Sequence, residues 1–452
     1  MPRKRLFPPT DPATGQRLHS KGRADYTILT ANGRVTLSRL RYECPQGGYL
    51  TPLDALLDAA EQTITPAVRE MACRLNQAGR SFDKTAENLA RTAQIHLSGE
   101  TLRTVVEAEG RAVQKAQKSG ALLIGWTAAD CRIEPLPAGT PAPVPARVGP
   151  ADATVAAAGP ASGGGDTAAD AGGASGQPSR PAVTRVYLGS DGVKVPLVTD
   201  AEKQVRRQKI KEKRRRCGKQ RRPLPKAKVG ADQRYKEFKI VTFYDQTQKH
   251  RHVAVTQGDH EEAGKIMRRD AGRIGLDQAD DKVAVVDGAP WIRNQIQGQS
   301  LPVDVIELDF WHLADNVHKA RRAVYGEEAE AGKEWAAGTL HVAKHEGYAA
   351  LRDRLVQWKG GVRGEKKRKA AEDLIGYVTD RREMVEYPEY EAAGRQIGSG
   401  PTESMCKTTT TRLKGVGMRW EGGNAEAVMA LDALEQSGEW KRYWDMRLKR
   451  PA

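Results

Sequence analysis

The stretch Lys282-Val-Ala-Val-Val-Asp287-Gly-Ala-Pro-Trp291 decides how this chain is read. Its aliphatic run is too short for a buried helix and reads as a short buried strand. Asp287-Gly288 ends that strand, and Pro290, whose φ is already set near the helical value, opens a helix behind it. A strand that delivers a carboxylate at its end and leads into a helix is a unit of an α/β sheet. Upstream, residues 183–188 form a strand ending in Tyr-Leu-Gly-Ser-Asp191-Gly, and Asp191-Gly192 turns it into a second strand at 193–198. Residues 238–244 and 252–256 alternate in the same style. Asp259 and Glu262 make a capping box for a helix carrying Ala263, Ile266 and Met267. Downstream, 303–308 is a further strand. Hairpins followed by strand–helix units describe a mixed α/β sheet.

Beyond residue 313 the strand signals vanish until about 395. Leu351, Leu355 and Trp358 recur at helical spacing, as do Leu374, Tyr377 and Val378, so 313–395 reads as a helical insertion. From Gly398 a helix runs past Lys407, another covers about 424–434, and 436–452 is left as a basic tail. In the other direction, residues 135–181 are Ala, Gly, Pro, Ser and Thr with almost no large apolar side chain, which marks 118–182 as a flexible linker. It sets off a mainly helical N-terminal module, 1–117. Within it, residues 26–49 alternate as a hairpin about Asn32-Gly33, which suits a type I′ turn. Leu53, Leu56, Leu57 and Ala60, then Val68, Met71, Ala72 and Leu75, recur at helical spacing. Helices at 81–93 and 98–113, the second capped by Ser98, resemble a helix-turn-helix that puts Glu100, Thr101, Arg103 and Thr104 near a major groove. An ordinary αα-hairpin fits the same pattern.

Lys and Arg number 73 against 57 acidic residues, a net charge of +16, which implies a polyanionic partner such as nucleic acid. The excess is concentrated: residues 203–228 hold 14 Lys/Arg and one acid, Glu212. This reads as a basic loop in which Arg214, Arg215, Arg216, Arg221 and Arg222 meet phosphates in a salt-sensitive, sequence-tolerant way. A solvated charged loop is the bland alternative. The 5 cysteines include no Cys-x-x-Cys pair, so neither a disulfide framework nor a complete zinc site is expected, and a reducing compartment is. There is no apolar run long enough to span a membrane and no signal peptide, so the expected location is the cytoplasm.

Three carboxylates stand where a sheet would present them: Asp191 and Asp287 at strand ends, and Glu403 at a helix start in Gly-Ser-Gly-Pro-Thr-Glu403-Ser. Cutting or exchanging a phosphodiester needs an activated oxygen nucleophile and a stabilised leaving oxygen. Two Mg²⁺ (or Mn²⁺) ions about 4 Å apart supply both and need hard carboxylate ligands. Singly, each has a plainer reading: two turn aspartates and one glutamate favoured by a helix dipole. Lys407, one turn beyond Glu403, shares its face, and with Arg412 and Lys414 could hold the DNA backbone.

Together these pieces resemble the DDE transposases of the Mutator-like superfamily, and most closely the ISKra-type bacterial insertion-sequence transposases. The matching residues are Gly-Ser-Asp191-Gly, Val-Val-Asp287-Gly-Ala-Pro-Trp, Leu-Asp309-Phe-Trp-His312, Ile-Gly-Ser-Gly-Pro-Thr-Glu403-Ser and Arg412-Leu-Lys414-Gly-Val-Gly-Met-Arg-Trp420. The resemblance covers about 183–435. It implies an RNase H-like catalytic domain (183–312 and 396–435) interrupted by the helical insertion, and cleavage and strand transfer of double-stranded DNA at terminal inverted repeats. It also implies a homodimer or higher oligomer that holds two element ends in the bacterial nucleoid. It places His312 near the active site without making it a metal ligand; a buried structural histidine is the other reading. Where relatives carry a second cysteine after Cys44, this chain has Gly47, so no zinc is expected there. A different RNase H-fold nuclease, such as a junction resolvase, has little use for the N-terminal module or the insertion. A domesticated or inactive transposase acting as a DNA-binding regulator remains the alternative.

Overall fold

In the computed structural model, which describes residues 9–11, 14–52, 63–79, 81–133, 183–218 and 223–448, the chain begins with a ribbon. Strands β1 (His19–Thr30) and β2 (Gly33–Glu43) pair antiparallel, with β3 (Tyr49–Leu50) beside β2. The turn departs from the expected type I′. Thr30 pairs with Gly33, so Ala31 and Asn32 form the loop, and of these residues only Gly33 has positive φ, 103°. Type I′ needs positive φ at both loop residues, which Ala31 resists. The expected helix at 53–60 lies outside the described residues.

Helices α1 (Pro66–Ala78), α2 (Phe82–Ala93) and α3 (Gly99–Ser119) follow. Ser81 accepts from the Lys84 N–H and Ser98 from the Thr101 N–H, satisfying donors that each helix start leaves open. The stretch 120–133 was expected to be linker and is ordered instead. Trp126 is buried and donates from Nε1 to the Arg251 carbonyl at 3.1 Å, and β4 (Arg132–Ile133) joins the central sheet. One large indole outweighs its glycine- and alanine-rich surroundings. The rest of the expected linker, 134–182, lies outside the described residues.

The central sheet is built from β5 (Val183–Pro196), β6 (Tyr235–Asp245), β7 (Arg251–Thr256), β8 (Asp281–Val286) and β9 (Val305–Leu308) in the order β7-β6-β5-β8-β9. The pairs β7–β6 and β6–β5 are antiparallel; β5–β8 and β8–β9 are parallel. Asp191-Gly192 is no turn. β5 runs straight through it, paired with β6 from Val186 opposite Asp245 to Pro196 opposite Tyr235. The period-two alternation of Tyr187, Val193 and Val195 onto one buried face carries across it, and a hairpin there would break that face.

The expected basic loop is largely a helix, α4 (Asp200–Arg216), started by a reciprocal Thr199–Glu202 cap. It buries no residue, so the cap and the helix preference of its Lys, Arg, Gln and Glu hold it. Returning chain runs along it: Arg207 donates to the Pro225 carbonyl, and Lys203 to those of Lys228 and Val229.

Helices α5 (His260–Ile274) and α6 (Pro290–Gly298) pack on one another, with α5 also against β6 and β7. The helical block is α7 (Phe310–Tyr325), α8 (Glu330–Gly361, kinked at Gly347, φ 79°), α9 (Glu365–Thr379) and α10 (Tyr387–Ala392). Then come α11 (Gly400–Thr411), α12 (Gly422–Gln436) and α13 (Trp440–Leu448). The last of these replaces the expected basic tail: Trp440, Tyr443 and Trp444, at helical spacing, are buried.

Each face of the sheet carries its own core. On one, Tyr187, Val195, Val283 and Val285 meet Met405, Cys406, Val428 and Leu431 of α11 and α12, together with Leu89, Leu102 and Val106 of α2 and α3. On the other, Val186, Leu188, Ala284 and Val286 meet Ile266, Leu313 and Val317, and Leu351, Leu355, Leu374 and Val378 of the insertion. The fit of α3 on α12 is close: a Cβ at Gly110 would lie 2.1 Å from the Ala427 carbonyl oxygen. This mixed α/β architecture is compatible with the expected RNase H-like sheet. No described helix is long and apolar enough to cross a membrane.

His252 of β7 is buried between Asp270 of α5 and Glu439, with each carboxylate 3.3 Å from a ring nitrogen. Burial alone would lower its pKa, but the two acids push it up to about 9. Asp270, which burial would raise, is held down at about 2 by His252 and Arg269. The folded pKa of His252 lies above the unfolded value of about 6.5. Its contribution is therefore complete below about pH 6.5 and lost as pH rises through about 9. Urea midpoints of the wild type should fall between pH 7 and pH 10. His252→Gln should start lower at pH 7 and show a smaller fall; parallel curves for the two proteins would remove His252 from the account.

Candidate active site

Strand register sets out the site. The parallel β5–β8 pairing runs from Arg185 opposite Asp281 to Leu188 opposite Ala284; Asp191 and Asp287 lie three residues beyond its end at the same offset, near enough for the Asp287 charge to raise the Asp191 pKa. In β8–β9, Val286 stands opposite Leu308, and one residue further Asp287 comes beside Asp309, whose N–H donates to the Val286 carbonyl at 2.8 Å. Asp191, Asp287 and Asp309 thus follow one another as an acid row across the neighbouring strands β5, β8 and β9. Asp191 and Asp287 keep the parity of Tyr187, Val193, Val283 and Val285, so they face the side on which α11 packs.

Helix α11 carries Glu403 in its first turn. Two features hold it over the row. Asp309, fully buried, accepts from the Ser399 N–H at 3.0 Å and from the Ser399 hydroxyl, and also from the Trp311 N–H at 2.6 Å. The Ser399 hydroxyl stands 3.2 Å from the Glu403 carboxylate. The second feature is Gly189 in β5: a Cβ there would lie 1.9 Å from Thr402 Oγ1 and 2.7 Å from Thr242 Oγ1. With only hydrogen at that point, the helix approaches closely enough for Thr402 and Thr242 to bond at 3.1 Å.

The charges of these groups are coupled. Burial raises the pKa of Asp191; the Gly192 N–H, 2.6 Å from Oδ1, opposes this, and the negative charges of Asp287 and Glu403 add to it. His312 Nε2 lies 3.6 Å from Glu403, an ion pair rather than a well-formed hydrogen bond. That carboxylate is the chief influence pushing His312 up to about 9, against burial, and His312 in turn lowers Glu403.

The expected metal set was Asp191, Asp287 and Glu403. Among the described residues, the group whose ligand atoms all lie within 4.8 Å of one another is instead Asp309, His312 and Glu403. Asp309 already accepts three hydrogen bonds and is sealed from solvent, so its chief task is to seat α11. Gly189, Ser399 and Thr402 were not singled out from the sequence. A glycine inside a strand pattern was the available sign of close backbone approach.

The expected DNA contacts divide. Lys407 and Lys414 are exposed and line an open groove with Asp191, Val193, Glu403, Thr410 and Thr411. Arg215 and Arg216 are exposed at the end of α4, and Arg214 is half-buried there; Arg221 and Arg222 lie outside the described residues. Arg103 is paired with Glu100 and Glu107 on α3. Arg412 does not face solvent. It is 6% exposed, lies 5.0 Å and 5.4 Å from the Phe82 and Trp420 ring centroids, and donates to the Asn76 carbonyl and side chain. It ties α11 to the N-terminal helices, because a planar guanidinium between aromatic faces packs as well as it pairs.

No family model and no curated protein matches the chain. Among solved structures, the Drosophila P element transposase strand transfer complex aligns over 59% of this chain and 67% of that chain, at 9% identity and a TM-score of 0.20. So slight a likeness carries no weight for function.

Gly189→Val should force α11 away from β5. We expect a loss of about 1–3 kcal/mol in urea denaturation, the usual cost of overpacking. Stability equal to wild type would mean that the contact with Thr402 is loose.

Proposed function

We propose that the chain is a DDE-type transposase that cleaves and joins DNA strands at the terminal inverted repeats of an insertion sequence, on an RNase H-like catalytic domain. The observation that carries this reading is the groove that Asp191 of β5 shares with Glu403, Lys407 and Lys414, with Asp287 near enough for its charge to raise the Asp191 pKa. The donor set suits hard divalent cations: carboxylates alone, with the pKa of Asp191 raised in part by Asp287 and Glu403, a repulsion that a cation relieves. Two Mg²⁺ or Mn²⁺ ions held by Asp191, Asp287 and Glu403 would supply the activated oxygen nucleophile and the stabilised leaving oxygen.

The remaining roles fall to the chain itself. Lys407 and Lys414 hold the backbone of the reacting strand against the carboxylates. His312 orients Glu403, and Asp309 fixes the start of α11. Helix α4, with Arg214, Arg215 and Arg216 near its end and no buried face, is an arm for duplex phosphates. The N-terminal helices, with Arg103, contribute further DNA contact, and two copies of the chain bring two element ends together in the bacterial cytoplasm.

Asp191→Ala, Asp287→Ala and Glu403→Ala should each abolish Mg²⁺-dependent cleavage of element-end DNA while leaving binding largely intact. Wild-type cleavage by any one of them would remove that residue from the metal set. Replacing Arg214, Arg215 and Arg216 by Ala should weaken binding to every sequence and flatten the slope of log K against log salt by about 2–3, roughly 0.9 for each phosphate no longer neutralised. An unchanged slope would place α4 away from the DNA.

A further inference from the structure

Of the 8 tryptophans, Trp311 alone stands open to solvent, at 50% exposure. Trp126, Trp420, Trp440 and Trp444 are buried, and Trp291 is covered by the Lys239 ammonium at 4.2 Å. A single exposed apolar residue is ordinary on a protein surface; the position of this one is not. It lies between Asp309 and His312, at the end of the acid row. Its backbone is fixed by the N–H donated to Asp309 at 2.6 Å. Its ring is set by Phe310, edge-on at 5.8 Å, and by Gly398, where a Cβ would touch the indole at 3.4 Å. The side chain is thus placed from several sides while a broad part of its surface faces out.

The two ends of the row differ in chemistry. At the β5 end, Lys407, Thr411 and Lys414 share a groove with Asp191, a surface suited to phosphates. At the β9 end the open surface is the indole. Glu403 links the two ends: it lines the lysine groove, and its carboxylate lies within 4.8 Å of the ligand atoms of Asp309 and His312, which flank Trp311 in the chain. A DNA strand with its phosphate over the carboxylates would therefore have its backbone on the lysines and a nearby base at the tryptophan. An indole face takes any base, because every base has a π-face, and so reads no sequence.

We propose that Trp311 is a stacking platform for an unpaired DNA base close to the reacting phosphate. This rests on reading the acid row as the site of phosphodiester chemistry. The platform holds a base out of the helix and so helps fix which phosphate lies over the carboxylates. Nearby charges complement such a strand: Lys407 and Lys414 line the groove with Asp191 and Glu403.

The test uses the full chain in Ca²⁺ buffer with two probes: a six-nucleotide single DNA strand carrying one 2-aminopurine, and a 20-base-pair duplex. Wild type should quench the 2-aminopurine. Trp311→Ala should abolish the quench and bind the single strand about tenfold more weakly, with duplex affinity within about twofold. Trp311→Phe, which keeps a ring, should retain most of the quench. Undiminished quenching by Trp311→Ala overturns the proposal, and so does equal weakening toward both probes, which would make the residue structural. Cleavage is scored separately in Mg²⁺. Quenching by a chain that never cuts DNA leaves Trp311 as a base platform and removes the transposase reading; cutting without a Trp311-dependent quench does the reverse.

Discussion

The buried ion pair between Arg185 and Asp281, 2.6 Å from Nε to Oδ2, stands at the first residue pair of the parallel β5–β8 register. Asp281 is also held by Arg395 at 2.9 Å, and Arg185 donates to the Ala393 and Gly394 carbonyls, so the end of the helical block closes over this point. A slip of one residue would separate the pair and turn every side chain of β5 to the wrong face. It would also part Asp191 from Asp287 at the far end of the same strands. Breaking a buried pair leaves an uncompensated charge, a heavier penalty than the pair's own net contribution. The β5–β8 register is thus fixed at the end of the strands opposite Asp191 and Asp287.

Gathering like charges on one face opposes folding, and the structure answers with oriented dipoles. Asp309 caps α7, and Glu403 lies in the first turn of α11, so two helix N-termini converge on the acid row. His312 Nε2 stands 3.6 Å from Glu403, and the two favour each other's charged forms. Close packing does the rest, since the glycine at 189 lets α11 settle where these fields act.

Much of this was legible in the sequence because it followed from local rules. The run 283–286, the serines before α2 and α3, and the apolar spacing of the insertion each specified an element, and those elements stand where expected. The misreadings came where tertiary packing outweighed a local signal. Asp-Gly is a strong turn dipeptide, yet at 191–192 the burial of both strand halves on one face kept the strand straight. Arg412, charged and near the site, belongs to a buried sandwich whose partners, Asn76 and Phe82, lie far away in the chain. Asp309 read as half of a motif; its role in seating α11 depends on Ser399, 90 residues away, and no spacing rule reports that.

The N-terminal helices and the sheet bury their apolar residues in one common interior, with Arg412 and the α3–α12 contact at Gly110 as added fastenings. Severing the polypeptide within 134–182 would therefore leave two pieces clasped together as a nicked but whole protein. The half beginning at Val183, produced on its own, would lay bare the faces of α12 and α13 that α3 and α1 cover, around Ala427 and Trp440, and would clump rather than stand as a free domain.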